Sequence, residues 1–265
     1  MGGSVFMLCS TCRLRPPVTG DGRCAVCAGA AAAPAFHAPQ QYLRSPEGLA
    51  KAVVVLLSVV AAADVLAVAA GANMRRLITA AMADYASVSD KEAELADNLY
   101  AGAGGLQALA FLATAVVFLI WFHRVRHNAG IFDRSMQPMR PGWAIGGWFI
   151  PIANLVLPRR IAGGIWTASA QTNTDGSWRH VPATVMNLWW GVWIGSLLLS
   201  RFAQRRYMAA ESPQEIVDAA GLVMATDALD IVAAVLAVLF VRKLTRMQGE
   251  RAALGVYPLG TGPAV

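Results

Sequence analysis

The sequence predicts an all-α membrane protein, with four transmembrane helices, a re-entrant or interfacial helical hairpin between the second and third, and a small N-terminal zinc-ribbon-like module. Three observations carry that reading. Hydrophobic residues make up 56% of the 265 positions and are gathered into long runs, while only 14% of residues are charged. All four cysteines precede the first run. Lys and Arg concentrate in particular connecting segments, as they do in a chain threaded through a bilayer. The excess of basic over acidic residues, 22 against 16, is then explained by membrane topology rather than by nucleic-acid binding.

The head comes first. Cys9-x2-Cys12 and Cys24-x2-Cys27 are separated by 11 residues that include Pro16, Pro17, Gly20 and Gly22. Two such pairs bring four thiolates around one tetrahedral ion at about 2.3 Å, and a Pro/Gly loop folds them together. A segment of this size has no core of its own, so metal ligation would supply its folding free energy. Structural Zn2+ is the expected cofactor. Iron accepts the same ligands, and a pair of disulfides would need an oxidising compartment. A closed four-thiolate site has no open coordination position for catalysis, so the head is expected to offer a surface to a cytoplasmic protein partner. It occupies 1–28, followed by a flexible linker over 29–48, the membrane domain over 49–246 and a disordered tail over 247–265.

Crossing about 30 Å of hydrocarbon takes roughly 20 apolar residues, because every backbone polar group must be paired within the span. Four stretches meet that length: 52–72, 101–122, 181–200 and 219–241. The cysteine-rich opening shows no cleavable signal pattern, so the first run is expected to stay as an anchor. The first 51 residues hold five basic and two acidic residues, and 123–180 holds seven Arg against Asp133 and Asp175. Both read as cytoplasmic. The 73–100 segment sets Arg75, Arg76 and Lys91 against five acids and reads as outside. The 201–218 segment is balanced and is placed outside by parity, while the tail after Val241 is basic. Both termini then face the cytoplasm of a cell whose plasma membrane holds the chain.

Between the second and third runs, 143–157 is apolar but only 15 residues long, bounded by Pro141 and Pro158 and interrupted by Gly146, Gly147 and Pro151. As a helix it would reach about 22 Å, too short to cross. Arg159 and Arg160 follow, and Ile161, Ile165 and Trp166 then recur at helical spacing as an apolar edge. The pair reads as a hairpin over about 143–170, its second limb lying along the surface. All eight tryptophans fall between Trp121 and Trp193, which suits headgroup-level anchoring.

Ionisable groups within spans are costly and normally face protein or water. Asp64, Asp227 and Asp230 are the three, and Asp64 and Asp230 fall at matching depths, about 18 to 20 Å from the inner boundary along ideal helices. Asp227 and Asp230 share a helix face. Such carboxylates serve either a structural role, paired with neighbouring helices or with Arg75 or Arg201, or a cation or proton site. Asn154 and Asn187 are amides at membrane depth that would tie the hairpin to the third span.

The two outer pairs of spans share a plan, with Arg75-Arg76 answering Arg205-Arg206, which supports the topology more than it supports transport. No phosphate-cradling glycine loop, Gly-x-Ser-x-Gly turn or His-Glu-x-x-His helix occurs in the sequence, and nothing identifies an enzyme. Three roles remain: a membrane platform with a partner-binding zinc head, a small cation- or proton-coupled transporter or channel, and a lipid-headgroup site near Arg159, Arg160 and Asn154.

The run Gly147-Trp148-Phe149-Ile150-Pro151-Ile152-Ala153-Asn154, followed by Leu157-Pro158-Arg159-Arg160 and Ile165-Trp166, resembles the hallmark of an uncharacterised bacterial membrane family, domain of unknown function 4328, common in actinobacteria and often fitted with a short Cys-rich head. The resemblance covers about 49–246. It implies a multi-pass membrane protein and carries over no catalytic residue, and it marks the hairpin as the family's most recognisable feature.

Overall fold

The computed structural model describes residues 8–18, 20–31, 43–170 and 180–254. Contacts divide the chain into two units, 1–42 and 43–265. In the first, the Ser10 N–H donates to the Gly22 carbonyl at 2.9 Å and the Val18 N–H to the Arg23 carbonyl at 2.8 Å, folding the loop between the cysteine pairs back on itself. Gly22 sits at φ +78°, the left-handed region where glycine costs least. Helix α1 (Ala25–Ala31) follows. Most of the expected linker lies outside the described residues, and its two ends are helical.

The second unit consists of α2 (Glu47–Ala83), α3 (Asp90–Phe132), the short α4 (Trp143–Gly146), α5 (Leu157–Ser169), α6 (Thr184–Met208) and α7 (Pro213–Ala253), with no strand among the described residues. Helix α2 packs along both α3 and α7, and α7 packs in turn along α6. Helices α3 and α6 therefore stand at the two ends of the row and make no extensive contact. The second limb of the hairpin, α5, fits against α3 and α7 at the end of the bundle away from the Asp84–Ser89 connection.

Among the described residues three helices, α2, α3 and α7, are long and apolar enough to cross a membrane. Helix α6 has 25 residues, about 37 Å at 1.5 Å per residue. Its length suffices, but Asn187, three tryptophans and Arg201 dilute its Leu, Ile and Val. Val55, Val65, Leu109, Leu112, Val116, Val232 and Val235 are exposed on the outside of the bundle, as apolar side chains are in a protein that lipid covers.

The helices are longer than the apolar runs foretold. At 37, 43 and 41 residues, α2, α3 and α7 extend about 55 to 65 Å, roughly twice the hydrocarbon thickness. The expected outer segment 73–100 is almost entirely helical, broken only around Asp84–Ser89. The tail expected over 247–265 likewise begins as helix: α7 continues to Ala253 with Gln248 and Arg251 buried, and 255–265 lies outside the described residues. Apolar content stops where charge begins, whereas helix formation does not, since Glu, Lys, Arg and Ala are all strong helix formers.

The core sits where α5 docks. Trp121, Phe122, Val125, Ile161, Ile165, Phe240 and Leu244 are all at most 4% exposed. Trp121, Trp166 and Trp189 are buried and pack against Phe118 or Phe240, Trp148, Trp190 and Trp193 continue the cluster, and Trp143 is exposed. The Ile161/Ile165/Trp166 edge of α5 is buried in this cluster, so the second limb is a packed wall and not a surface helix. Trp178 lies outside the described residues.

Candidate functional site

Two groups of residues meet the chemical requirements of a site. In the head, the four ligand sulfurs of Cys9, Cys12, Cys24 and Cys27 lie within 4.8 Å of one another, and Cys12 Sγ is 3.8 Å from Cys24 Sγ. A tetrahedron with metal–sulfur bonds of about 2.3 Å has edges of about 3.8 Å, so the spacing fits a divalent ion. Backbone N–H groups point at the sulfurs: Thr11 and Cys24 donate to Cys9 Sγ at 3.4 and 3.3 Å, and Cys27 donates to Cys24 Sγ at 3.5 Å. Donors from the Cys12 and Cys24 backbone pull the Cys9 thiol down to about 6, whereas the crowding Cys24 and Cys12 sulfurs push Cys27 up to about 12. Four thiolates cannot share so small a volume without a cation among them. The cluster can hold a metal ion.

The second group lies within the helical bundle. Asp64 on α2 is 4% exposed. Its Oδ1 accepts from Gln107 Nε2 of α3 at 2.9 Å, and the same Nε2 donates to Asp227 Oδ1 of α7 at 3.1 Å. Asp230 lies against the Ser196 hydroxyl of α6. The aspartates come from two helices, Asp64 from α2 and Asp227 and Asp230 from α7, and the residue that joins two of them, Gln107, was not singled out from the sequence. Gln107 is the lone amide in a run that otherwise carries no charge, and it stands opposite Asp64. That solitary position was the available signal. Among the described residues no basic side chain lies within 4 Å of any of the three acids. Arg75, considered above as their partner, instead lies over Gly221 of α7. Asp64 Oδ2 is buried without a hydrogen-bond partner.

A cavity of about 470 Å³ opens beside this cluster. It is lined by Asp64, Gln107, Thr114 and Asp230 on its polar side and by Phe111, Phe118, Trp148, Phe149, Trp189 and Trp193 elsewhere. Residues from α2, α3, α6, α7 and the hairpin all contribute. The space exists because α3 and α6 do not close on each other, and the hairpin residues Trp148 and Phe149 form part of its wall.

The remaining hairpin residues have structural work. Pro158 is buried in the first turn of α5, where a missing N–H costs nothing. Arg159 donates to Asn187 Oδ1, so the hairpin is tied to α6 through an arginine and not through Asn154. Asn154 is half-buried and Arg160 is exposed. Pro151 precedes Ile152, which sits at φ +66°, a strained value for a β-branched residue. The sequence also gave no hint of a polar hub at the α5 end of the bundle. There Asn128 Nδ2 donates to Gln248 Oε1 at 3.1 Å and to the Arg44 carbonyl at 2.8 Å, and Gln248 Nε2 donates to Ser169 Oγ at 3.2 Å.

Among known families, the one described as Domain of unknown function (DUF4328) matches residues 84–246. That span takes in Gln107, the hairpin, Asn187, Asp227 and Asp230, and begins after Asp64, later than the resemblance over 49–246 implied. No curated protein and no solved structure matches the chain. The match extends over more than half of the sequence, and the chain belongs to the DUF4328 family.

Proposed function

We infer that the chain is a four-span plasma-membrane protein that binds a cation inside its helical bundle, with both termini in the cytoplasm and a zinc-holding head ahead of the first span. The cavity that reaches Asp64 and Asp230 carries this reading. Carboxylates placed in an apolar bundle without a basic partner are retained at a cost, and a cation or proton is what compensates them. The fourth span is α6, whose 25 residues suffice for a crossing and whose Arg205 and Arg206 follow the apolar stretch as Arg75 and Arg76 follow the first. Zinc is the metal that best suits four Cys ligands in a reducing cytoplasm.

Cation or proton jumps applied to proteoliposomes on a solid-supported membrane test the reading. The wild-type chain should give a charge displacement that Asp64→Asn removes. If no cation or proton jump gives an Asp64-dependent signal, the bundle is a passive scaffold. A second reading has the bundle as a platform and the zinc head as an adaptor for a cytoplasmic protein, and the clustering of the four sulfurs favours it. Pull-downs from native membranes with and without residues 1–45 address it. An unchanged partner set rules the adaptor out.

A further inference from the structure

We propose that the cavity takes an amphiphilic organic ammonium ion, admitted sideways from the bilayer between α3 and α6, with its charged head on Asp64 and its apolar body against the aromatic wall. This deepens the cation-binding reading and rests on it.

Size is the first argument. Ca2+ asks for about six to eight oxygens at 2.3 to 2.6 Å, and the polar side chains lining the cavity, Asp64, Gln107, Thr114 and Asp230, carry six only if both carboxylates bind through both of their oxygens. One of those six, Asp64 Oδ1, already accepts from Gln107 Nε2 at 2.9 Å. At about 470 Å³ the space falls instead in the range of organic-ligand pockets, roughly 300 to 1,000 Å³.

Chemistry is the second. Gln107 saturates one oxygen of Asp64 and leaves Oδ2 buried with no partner. An acceptor at 4% exposure needs a donor, and a carboxylate there needs a positive charge. An ammonium supplies both. The opposite side is aromatic: Trp148 meets Phe118 edge-on at 5.7 Å and Trp193 at 5.6 Å. Aromatic faces hold alkylated or aryl-bearing ammonium ions by cation–π attraction and by apolar burial. The Trp148 indole N–H is itself buried without a partner, leaving a donor for a ligand hydroxyl, ether or carbonyl.

Access is the third. Ala108, Phe111 and Phe149 line the cavity yet are exposed on the outside of the molecule, on the same flank as the exposed apolar residues Leu112 and Val116. The mouth thus opens toward the acyl chains. A ligand using it must partition into lipid first, which inorganic ions do not.

The full chain in phospholipid nanodiscs decides the matter. The probes are 4-phenylbutylammonium, its neutral counterpart 4-phenylbutanol, and Na+. The readouts are tryptophan emission, to which Trp148, Trp189 and Trp193 of the cavity wall contribute among the chain's eight, and thermal protection. The amine should bind saturably and at least tenfold more tightly than the alcohol. Asp64→Asn should lower amine affinity at least tenfold and leave the alcohol unchanged. Ala108→Phe, which fills the mouth without touching a charge, should block both and secures the test if the aspartate variant fails to fold. Alcohol binding as tight as the amine, or amine binding indifferent to both substitutions, overturns the proposal. Protection by Na+ with none by the amine overturns it while the broader cation reading survives, and no response to any probe removes both.

Discussion

The Cβ that alanine would add at Gly164 would stand 2.6 Å from the Met136 carbonyl oxygen. Backbone cannot yield there as a flexible side chain could, so Gly164→Ala should destabilise by about 1 to 3 kcal/mol, read as a lower unfolding temperature in detergent. Gly104→Ala, with nothing within 4 Å of the added carbon, should not. In the head, metal analysis of purified protein should find one zinc per chain, and serine at any of Cys9, Cys12, Cys24 or Cys27 should abolish it. Chelation should unfold the head and leave the helical signal of the bundle unchanged. The cysteines and the aspartates were legible because their chemistry is rare in its setting: four thiols at paired spacing, and three charges inside apolar runs. Gln107 and the Asn128–Gln248–Ser169 hub were not, because an amide gives no pattern and the hub's members lie 79 and 120 positions apart.

At the level of the element, two helices begin with the same device. Ser89 caps α3 and Ser212 caps α7, each with a glutamate at the third position, Glu92 or Glu215, that accepts back from the backbone. These donors hold both carboxyls below their ordinary value. A carboxyl lowered in the folded state contributes stability above its unfolded pKa, about 4.3, and loses it as pH falls through the lowered one. Amide exchange in the first turns of α3 and α7 should therefore be slow and flat from pH 7 to about 5, once intrinsic exchange is corrected for, and should accelerate below about 4. Glu92→Ala and Glu215→Ala should already exchange fast at pH 7. Both boxes are visible in the sequence as Ser-x-x-Glu, yet the spans expected there began 11 residues after Asp90 and six after Pro213, because apolar content was the guide. The face of α5 was correctly read from its 3.6-residue period. That this face turns inward rather than onto the membrane surface depends on α3 and α7, which period alone does not report.

For the whole molecule, the threading is what topology experiments can address. A thiol introduced by Ser87→Cys, exposed in the connection between α2 and α3, should react with a membrane-impermeant maleimide on intact cells, while Cys9, fully buried in its cluster, should react only after lysis and chelation of the bound metal. The reverse pattern would invert the chain in the membrane. Three of the four expected crossings stand out by apolar content. The fourth, expected over 181–200 from its apolar length, falls in α6, whose three tryptophans and Asn187 lower its apolar content, and tryptophans that line a cavity look like tryptophans that face headgroups in a sequence.

Helix α2 occupies the middle of the row, touching both α3 and α7, which themselves meet only lightly. The family match begins at residue 84 and leaves this helix out. A polypeptide cut to the matched region would consequently be two helical leaves joined at one corner by α5, with nothing between them to keep lipid from flooding the gap. In this chain the keystone of the bundle therefore lies outside the segment that places it in the family.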